Sequence, residues 1–255
     1  MAIKPFQQYI DKSIDTSCVE ILPLMHNTTA SAFTQILTEG LSPNRCKVGE
    51  EERNITCFFY GRPVYIPKER LKPRPDKFFI PVCLIIKPEI IQLSAVYPTD
   101  TGAYTLNSRM QEIFQDLDIE LYRMDEEIKN ILAYIVHFFG SNSNYYHGKP
   151  KLSPQAEAID DIVRELFIEM LNDLDEQLDG RNRAIEIQSE KKYDLKDIVE
   201  CVIVPEYLLD KASTLGTHIE VRTYSDYEGK NKPQKSYVDK IETEVENYLR
   251  EKNLI

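Results

Sequence analysis

The spacing of apolar residues changes twice along this chain, and this change limits the folds that the chain can form. From about residue 21 to 97, short apolar runs between proline-rich turns predict β-strands. From about 106 to 180 the spacing is helical, and from 184 to 224 strands are predicted again. We therefore expect an α+β fold whose sheet is interrupted in sequence by a helical insertion. The strands are predicted at Val19–Met25, Ile55–Tyr60, Phe78–Ile86, Ala184–Gln188, Val199–Pro205 and His218–Tyr224.

Four amphipathic helices are predicted from apolar stripes and from the residues that begin or end them. Glycine after an apolar stripe is a common helix C-cap, and Ser followed by Pro marks a helix start. These stripes are most simply surfaces that face the core, with a partner-binding or cofactor-binding role as the alternative. The polar segment 141–149 is predicted to be a loop. The helices are predicted at Thr29–Leu41 with Gly40 as C-cap, at Met124–Phe139 before Gly140, at Ile159–Leu178 after Ser153 and Pro154, and at Ser236–Lys252.

Charge and apolar content exclude several classes of protein. The 42 acidic and 31 basic side chains give a net charge of −11, which excludes a basic coat that binds many nucleic-acid phosphates. The apolar runs are far shorter than the roughly 20 residues that cross a bilayer. The N-terminus lacks the pattern of a signal peptide. We expect one domain over residues 1–255, located in the cytoplasm, without membrane contact.

Neither the cysteines nor the histidines are spaced as metal ligands. The five cysteines include no CxxC pair, which favours reduced thiols over disulfides or a zinc site. The four histidines lie too far apart to form an HExxH-type motif. We expect no metal cofactor.

The first candidate site is Met25-His26-Asn27-Thr28, at the end of a predicted strand and the start of a predicted helix. Polar groups at such a junction can contact a ligand at the sheet edge, and a helix N-terminus favours anions such as phosphate. The alternative is that Asn27 or Thr28 only caps the helix and that His26 is a turn residue.

The second candidate is the aromatic run Phe58–Tyr65, which a Gly-Arg-Pro sequence interrupts. Aromatic rings can stack on a planar heterocycle, and the guanidinium of Arg62 can pair with phosphate or carboxylate. Core packing explains the alternating aromatic residues equally well, but it does not explain the position of Arg62.

A single carboxylate, Glu186, interrupts the short apolar strand Ala184–Gln188. Acidic residues are rarely buried without a partner, so Glu186 either serves a site or lies with Gln188 on a solvated face of the strand. Alternation of side chains along a strand makes the solvated face the simpler interpretation.

The segment Tyr97–Tyr104 is a turn-rich loop after the predicted buried strand. Asp100 and Gly102 are ordinary turn residues there. A loop that contacts a substrate or cofactor is the alternative.

In chain order these motifs resemble the ADP-ribosyltransferase superfamily, and most closely its DarT type, whose members modify thymidine bases in single-stranded DNA using NAD. His26-Asn27-Thr28, followed by a helix that ends in Ile36–Leu41, is similar to the opening of that core. Phe58–Tyr65 resembles its aromatic-Arg-Pro-Tyr strand. Ala184–Ile187, followed by residues 198–204, resembles its late pair of strands, of which the first carries the catalytic Glu.

The resemblance implies a split β-sheet core with a helical insertion and a C-terminal helix. It also implies NAD as a substrate, with Glu186 as the catalytic residue. A matching Q-x-E string ends at Glu190, which is the alternative catalytic carboxylate, although the residues after Glu186 fit a strand better. The residues expected to bind NAD are His26, Thr28, Tyr60, Arg62 and Tyr65, with Arg62 on the pyrophosphate and Tyr65, or else Tyr60, stacked on nicotinamide.

The implied activity is transfer of ADP-ribose from NAD to a macromolecular acceptor, either a nucleic-acid base or a protein side chain. Arg45 and Arg53 are the candidates for the basic residue that DarT-type enzymes use in catalysis and DNA contact. Such enzymes act as toxins or as antiviral effectors, which makes an antitoxin or regulatory protein an expected partner. The alternatives are an inactive binding module on the same fold and an NAD-dependent RNA 2′-phosphotransferase.

Overall fold

Eight strands form one mixed, open sheet in the computed structural model, which describes residues 6–10, 14–49, 51–64, 79–106, 108–114, 117–151, 162–172, 180–226 and 235–255. The expected α+β class is therefore confirmed. The strands are β1 (Leu24–Thr29), β2 (Asn44–Val48), β3 (Glu51–Tyr60), β4 (Pro81–Ile86), β5 (Ala95–Tyr97), β6 (Glu186–Ser189), β7 (Val199–Pro205) and β8 (Glu220–Tyr224).

The strand order is β5-β6-β3-β1-β4-β7-β8, and β2 forms a hairpin with the first half of β3. All paired strands are antiparallel except β7 and β8, which run parallel. Strand β4 is buried along its whole length because it lies in the middle of the sheet between β1 and β7. Its near-continuous apolar sequence is typical of such a position.

The described helices are mostly short, and none is long and apolar enough to cross a membrane. They are α1 (Ala30–Glu39), α2 (Thr101–Leu106), α3 (Ser108–Phe114), α4 (Ile128–Phe138), α5 (Asn142–Tyr146), α6 (Ile162–Asn172), α7 (Leu195–Ile198), α8 (Leu209–Ala212) and α9 (Lys235–Glu251).

Helix α1 begins and ends close to the predicted positions. The hydroxyl of Thr29 accepts a hydrogen bond from the Ala32 amide at 3.2 Å, which satisfies a free donor of the first turn. Gly40 ends the helix with φ +80°, a conformation that glycine adopts without strain, and its amide donates to the carbonyl of Ile36 at 2.9 Å. The buried Phe33 fixes the helix against the core.

The helical insertion has an aromatic core, which confirms that its stripes face inward. Phe6 from the N-terminal 3₁₀ turn lies 4.5 Å from Phe167 of α6 between ring centroids, and Tyr134 of α4 lies 5.0 Å from Phe138. Helices α4 and α6 lie within the predicted ranges, α9 begins one residue before its predicted range, and Gly140 follows α4 with φ +77°. The predicted start at Ser153 and Pro154 lies outside the described residues.

Several elements differ from the sequence-based expectation. Strand β1 lies at Leu24–Thr29 instead of Val19–Met25, and α2 begins within Tyr97–Tyr104, which was expected to be a turn-rich loop. The segment 141–149 was expected to be a loop, but it contains α5, because Ser141 caps the helix by accepting from the Asn144 amide at 3.2 Å. The aromatic ring of Tyr145 on this helix is fully buried. Strand β2 was not predicted, because most of its side chains are exposed and carry no apolar alternation.

The sheet splits between β1 and β3. Strand β1 pairs with β4 over its full length, from Leu24 opposite Ile86 to Thr29 opposite Pro81. It pairs with β3 only at its first two residues, Leu24 and Met25. From His26 onward, β1 and β3 therefore diverge, and a wedge opens between them near the middle of the sheet.

Replacing Tyr145 with Phe is expected to lower the free energy of unfolding by about 1–3 kcal/mol. The Tyr145 hydroxyl donates to the Tyr60 carbonyl at 2.8 Å and accepts from the Ile185 amide at 3.0 Å, so it joins the end of β3 to the start of β6 in the interior. Urea unfolding measures the loss. Tyr237→Phe removes a longer, 3.3 Å bond to the Asp226 carbonyl and serves as the control. Equal losses in the two variants would contradict the bridging role of Tyr145.

Candidate functional site

The three sequence motifs lie on three neighbouring strands. His26 is on β1, Phe58 and Phe59 are on β3, and Glu186 begins β6. Strand β3 lies between the other two, with Met25 opposite Phe59 on one side and Glu186 opposite Phe59 on the other. Residues 160 positions apart in the chain therefore meet in the middle of one sheet.

The carboxylate of Glu186 is buried within a shell of hydrogen-bond donors. Only 1% of the residue is exposed, so it does not lie on a solvated face, and Gln188 beside it is equally buried. The Thr101 amide donates to Oε2 at 2.7 Å, and the Thr101 hydroxyl lies 3.1 and 3.0 Å from Oε1 and Oε2. The Gln188 side-chain amide donates to Oε1 at 2.7 Å. Donors from two separate segments thus fix the orientation of the carboxylate.

Burial raises the pKa of Glu186 to about 7, and the negative charge of Asp100 acts in the same direction. Hydrogen bonds from Gln188, Thr101 and the thiol of Cys57 favour the charged form and limit the rise. Carboxyl groups whose pKa lies near neutrality because of burial and a neighbouring charge are typical of functional sites.

The loop after β5 places Thr101 over Glu186. Asp100 caps α2, because its Oδ1 accepts from the amides of Gly102 at 2.7 Å and Ala103 at 3.2 Å. Arg181 approaches the same carboxylate, with Nε 3.8 Å from Oδ2. Asp100 is therefore a helix cap and not the loop residue that the turn interpretation expects, and the helix that it caps directs Thr101 at Glu186.

His26 is a strand residue in the wedge between β1 and β3. Its Nδ1 lies 2.9 Å from the Cys57 carbonyl, and its ring lies 5.8 Å from that of Phe58. Burial lowers the pKa of His26, while the bond to the Cys57 carbonyl acts against this change. Because Phe58 is opposite Ile187 and Phe59 is opposite Glu186, strand alternation puts His26 and Glu186 on opposite faces of the sheet.

The helix cap at the end of β1 is Thr29, so neither Asn27 nor Thr28 has that role. Thr28 lies opposite Val82 and shares a face with His26. Asn27 lies on the Glu186 face and donates from Nδ2 to the Val64 carbonyl at 3.0 Å. Its Oδ1 is buried without a hydrogen-bond partner, which leaves an acceptor for a ligand or water.

Tyr60 belongs to the core. It is completely buried, and its hydroxyl accepts from the Leu22 amide at 2.8 Å. Tyr60 in this arrangement has no free face on which a ligand could stack. Tyr65, the other expected stacking residue, lies outside the described residues.

Arg62 lies just beyond β3 and is partly buried, and its Nη1 has no hydrogen-bond partner. Arg45 and Arg53, by contrast, both form ion pairs with glutamate side chains. Arg45 pairs with Glu52 on the exposed hairpin. Arg53 pairs with Glu51 and with Glu120, at 2.7 and 2.9 Å.

Glu190 lies outside this cluster. It follows the last residue of β6 and is exposed to solvent. Of the two candidate carboxylates, only Glu186 is surrounded by oriented donors.

Sequence reasoning did not assign Thr101, Gln188 or Cys57 to the site. Gln188 could have been found, because it follows Glu186 by two positions and alternation puts both on one face. Asp100 followed by Thr-Gly is a helix-start signal that could have located α2, but not its approach to Glu186.

Among the described residues, no group of three or more His, Cys, Asp or Glu side chains is arranged to hold a metal ion. Comparison with known families and with curated proteins finds no matching family model and no matching protein. The function is therefore inferred from the site.

Proposed function

We propose that the protein is an NAD-dependent ADP-ribosyltransferase with an ADP-ribosyltransferase-like split-sheet core. One observation carries the proposal: the His26, Phe58–Tyr60 and Glu186 motifs, distant in sequence, lie on three adjacent strands, and the carboxylate of Glu186 is buried. A divergence of strands at the histidine agrees with the split core that the resemblance implies. The helical insertion and α9 would then be additions to this core.

The reaction breaks the glycosidic bond between C1′ of the ribose and the nicotinamide nitrogen. Nicotinamide leaves with the bonding electron pair, and positive charge develops on the ribose as in glycoside hydrolysis. The Glu186 carboxylate stabilises this charge and holds a ribose hydroxyl. A nucleophile of the acceptor then bonds to C1′, and its proton passes to a base. Ionised Glu186 can accept it above a pH of about 7.

A ligand that binds the Glu186 carboxylate must replace a hydrogen-bond donor that the carboxylate already has. Thr101 supplies both an amide and a hydroxyl to the carboxylate, and a ribose hydroxyl would take the place of the Thr101 hydroxyl. The wedge between β1 and β3 is the place for such a ligand. Beyond Met25 these two strands are not paired, so a ligand in the wedge can contact both the His26 face and the Glu186 face of the sheet. His26 and Thr28 would hold the ribose or amide, Arg62 the pyrophosphate and Tyr65 the nicotinamide ring.

The acceptor is a macromolecule. If it is a nucleic acid, the net charge of the protein limits the ways in which the nucleic acid can bind. A charge of −11 disfavours broad contact with duplex DNA but is compatible with a short single strand held locally. A toxin or antiviral effector of this kind would be restrained by an antitoxin or regulatory protein. Location in the cytoplasm would agree with access to nucleic acid and NAD.

Labelled NAD tests the proposal directly. The full chain is incubated with NAD labelled in the adenylate part and, separately, with DNA, RNA and protein. We expect free nicotinamide and label in one of the three pools. Transfer to nucleic acid should weaken as salt rises, whereas transfer to protein should depend less on salt. Absence of nicotinamide release in every pool would contradict the proposed activity.

The occupied state of Glu186 supports a second candidate, an inactive binding module on the same fold. The carboxylate accepts hydrogen bonds from Thr101, Gln188 and Cys57 of the protein itself. Such a module would bind NAD, as calorimetry can measure, and would release no nicotinamide.

A further inference from the structure

A cleft lies between the end of β4, the start of β7 and the C-terminal end of α9. Its volume is about 370 Å³, at the lower end of the range of about 300–1,000 Å³ that is typical of small-molecule sites. Much of its wall is apolar and comes from Ile21, Pro23, Pro88, Ile128 and Leu254. Such a wall can enclose the apolar body of a small ligand.

Hydrogen bonds hold the walls of this cleft together. The side-chain amide of Asn142, a buried residue, donates to the Glu20 carbonyl at 2.9 Å and to the Leu254 carbonyl at 3.1 Å. It therefore ties the segment that carries Ile21 to the segment that follows α9. The Leu254 amide also donates to the Leu249 carbonyl at 2.9 Å, which closes the end of the helix. Because the cleft is already formed, little conformational entropy is lost when a ligand binds.

A β-bulge directs Glu200 into the cleft. The pairing of β7 with β4 skips one residue between Val199 and Cys201, so Glu200 has no counterpart on β4. In a regular strand, Glu200 and Cys201 would lie on opposite faces of the sheet. A bulge interrupts this alternation and re-aims a side chain, and Glu200 here lines the cleft together with Tyr248 of α9.

The cleft carries charges of both signs. Glu200 is half-buried and Glu89 is exposed, and within the part of the chain that the structure describes neither forms an ion pair with a basic side chain. Burial raises the pKa of Glu200, and a hydrogen bond from Tyr248 acts against this change. The exposed Lys252 also lines the cleft, with Nζ 5.4 Å from the centroid of the Tyr248 ring. A carboxylate and an ammonium group that do not pair with each other can each bind an oppositely charged group of one ligand.

We propose that this cleft binds a small zwitterion with an apolar body, which is the chemistry of an apolar amino acid. The ammonium group of the ligand lies at Glu200, its carboxylate at Lys252, and its apolar side chain against Ile21 and Ile128. A simple organic cation fits less well because Lys252 repels it, and a simple anion fits less well because Glu200 and Glu89 repel it.

The cleft is separate from the Glu186 site. One row of directly opposite residues crosses the sheet between the two places, through Glu186, Phe59, Met25, Ile85 and Cys201. Strands in a sheet lie about 4.8 Å apart, so the four strand intervals of this row place Cys201, the neighbour of Glu200, about 19 Å from Glu186. The cleft would therefore bind a molecule other than the substrate at Glu186.

Methyl-resolved NMR titration of the full chain tests the site, because Ile21 and Ile128 both line the cleft. The probes are leucine, isoamylamine, which is leucine without the carboxylate, and isocaproate, which is leucine without the ammonium group. Leucine should shift the methyl resonances of both isoleucines. Each probe with a single charge should bind about 5-fold more weakly than leucine, because it loses one ion pair with a partly exposed group.

Two charge-removing variants identify the groups that hold the ligand. Glu200→Gln should weaken leucine binding by about 10-fold. Lys252→Gln should weaken it by about 2- to 5-fold, because Lys252 is exposed. Glu206→Gln and Lys211→Gln make the same changes at exposed positions beyond the other end of β7 and are the matched controls. A thermal melt verifies that Glu200→Gln, whose amide oxygen can still accept from Tyr248, is folded.

A filled cleft should not bind leucine. Ile21→Trp adds bulk from a residue that is 48% exposed, so the variant should fold and should lose the leucine-induced shift at Ile128. The site is overturned if leucine up to its solubility limit leaves both isoleucine resonances in place. It is also overturned if isoamylamine binds as tightly as leucine, or if Glu200→Gln does not weaken leucine binding. These measurements do not use NAD, so they are independent of the proposed transferase activity.

Discussion

Glu186→Gln is expected to reduce nicotinamide release and ADP-ribosyl transfer by about 10²–10³-fold, the usual effect of removing one group that stabilises charge in a transition state. The amide has no negative charge with which to stabilise the developing charge on the ribose. NAD binding should persist, because a Gln side chain can still form hydrogen bonds to the ribose. Initial rates of nicotinamide release, measured with saturating NAD, give the effect.

The variant should keep its fold because the site can accommodate an amide. The oxygen of Gln at position 186 can accept from the Thr101 amide, as Oε2 of Glu186 does at 2.7 Å. Its NH₂ group would face Gln188, which now donates at 2.7 Å. A flip of the Gln188 amide would present its oxygen instead and restore the hydrogen bond.

Glu190→Gln is the matched control for this experiment. It makes the same chemical change four residues away, at an exposed position after the end of β6. Activity should remain within about 2-fold, since exposed carboxylates lie in water and exert weak fields. A fully active Glu186→Gln enzyme would refute the catalytic role, and loss of activity only in Glu190→Gln would transfer that role to Glu190.

The parts of the fold that the sequence predicts are those fixed by local apolar patterns. The run Val199–Pro205 is β7 to the residue, because it is apolar and buried at every position except Glu200. The first strand was predicted at Val19–Met25 but lies at Leu24–Thr29. Pairing of the polar residues His26, Asn27 and Thr28 with β4 extends this strand beyond its apolar residues. Tertiary pairing here overrides local hydropathy.

At the candidate site, too, local sequence patterns do not predict which residues come together. The sequence identifies Glu186 as an unusual residue, but alternation alone favours a solvated face. Its burial depends on Thr101, which is 85 positions away in the chain and reaches Glu186 only through α2. The position of His26 on the opposite face likewise follows from the register of β3, which no local pattern specifies.

The stability of the protein should also depend on pH through Glu186. The pKa of this group is about 7 in the folded protein and close to its usual 4.5 in the unfolded chain. The folded state therefore binds the proton more tightly. The contribution of the Glu186 carboxyl group to the free energy of unfolding is complete below about pH 4.5 and is lost as pH rises through about 7. The loss is about 3 kcal/mol, since each unit of pKa difference corresponds to about 1.4 kcal/mol.

His26 acts in the opposite direction, so the unmodified protein alone does not reveal the effect. Burial lowers the pKa of His26 below 6.5, so its contribution is present above that pH and is lost as pH falls. The two groups therefore act in opposite directions as pH falls below about 6.5. Comparison with Glu186→Gln cancels the His26 contribution, because both proteins retain that residue.

Urea unfolding of both proteins at pH 4.5, 6, 7 and 8 measures the Glu186 contribution. The stability of Glu186→Gln relative to the unmodified protein should rise by about 3 kcal/mol from pH 4.5 to 8, because the variant has no carboxyl group to deprotonate. Glu190→Gln should show a much smaller change, because its carboxylate is exposed in the folded protein. If the stability curves of Glu186→Gln and the unmodified protein run parallel over this range, Glu186 titrates in the folded protein as it does in the unfolded chain, and the donors around it hold an ordinary carboxylate.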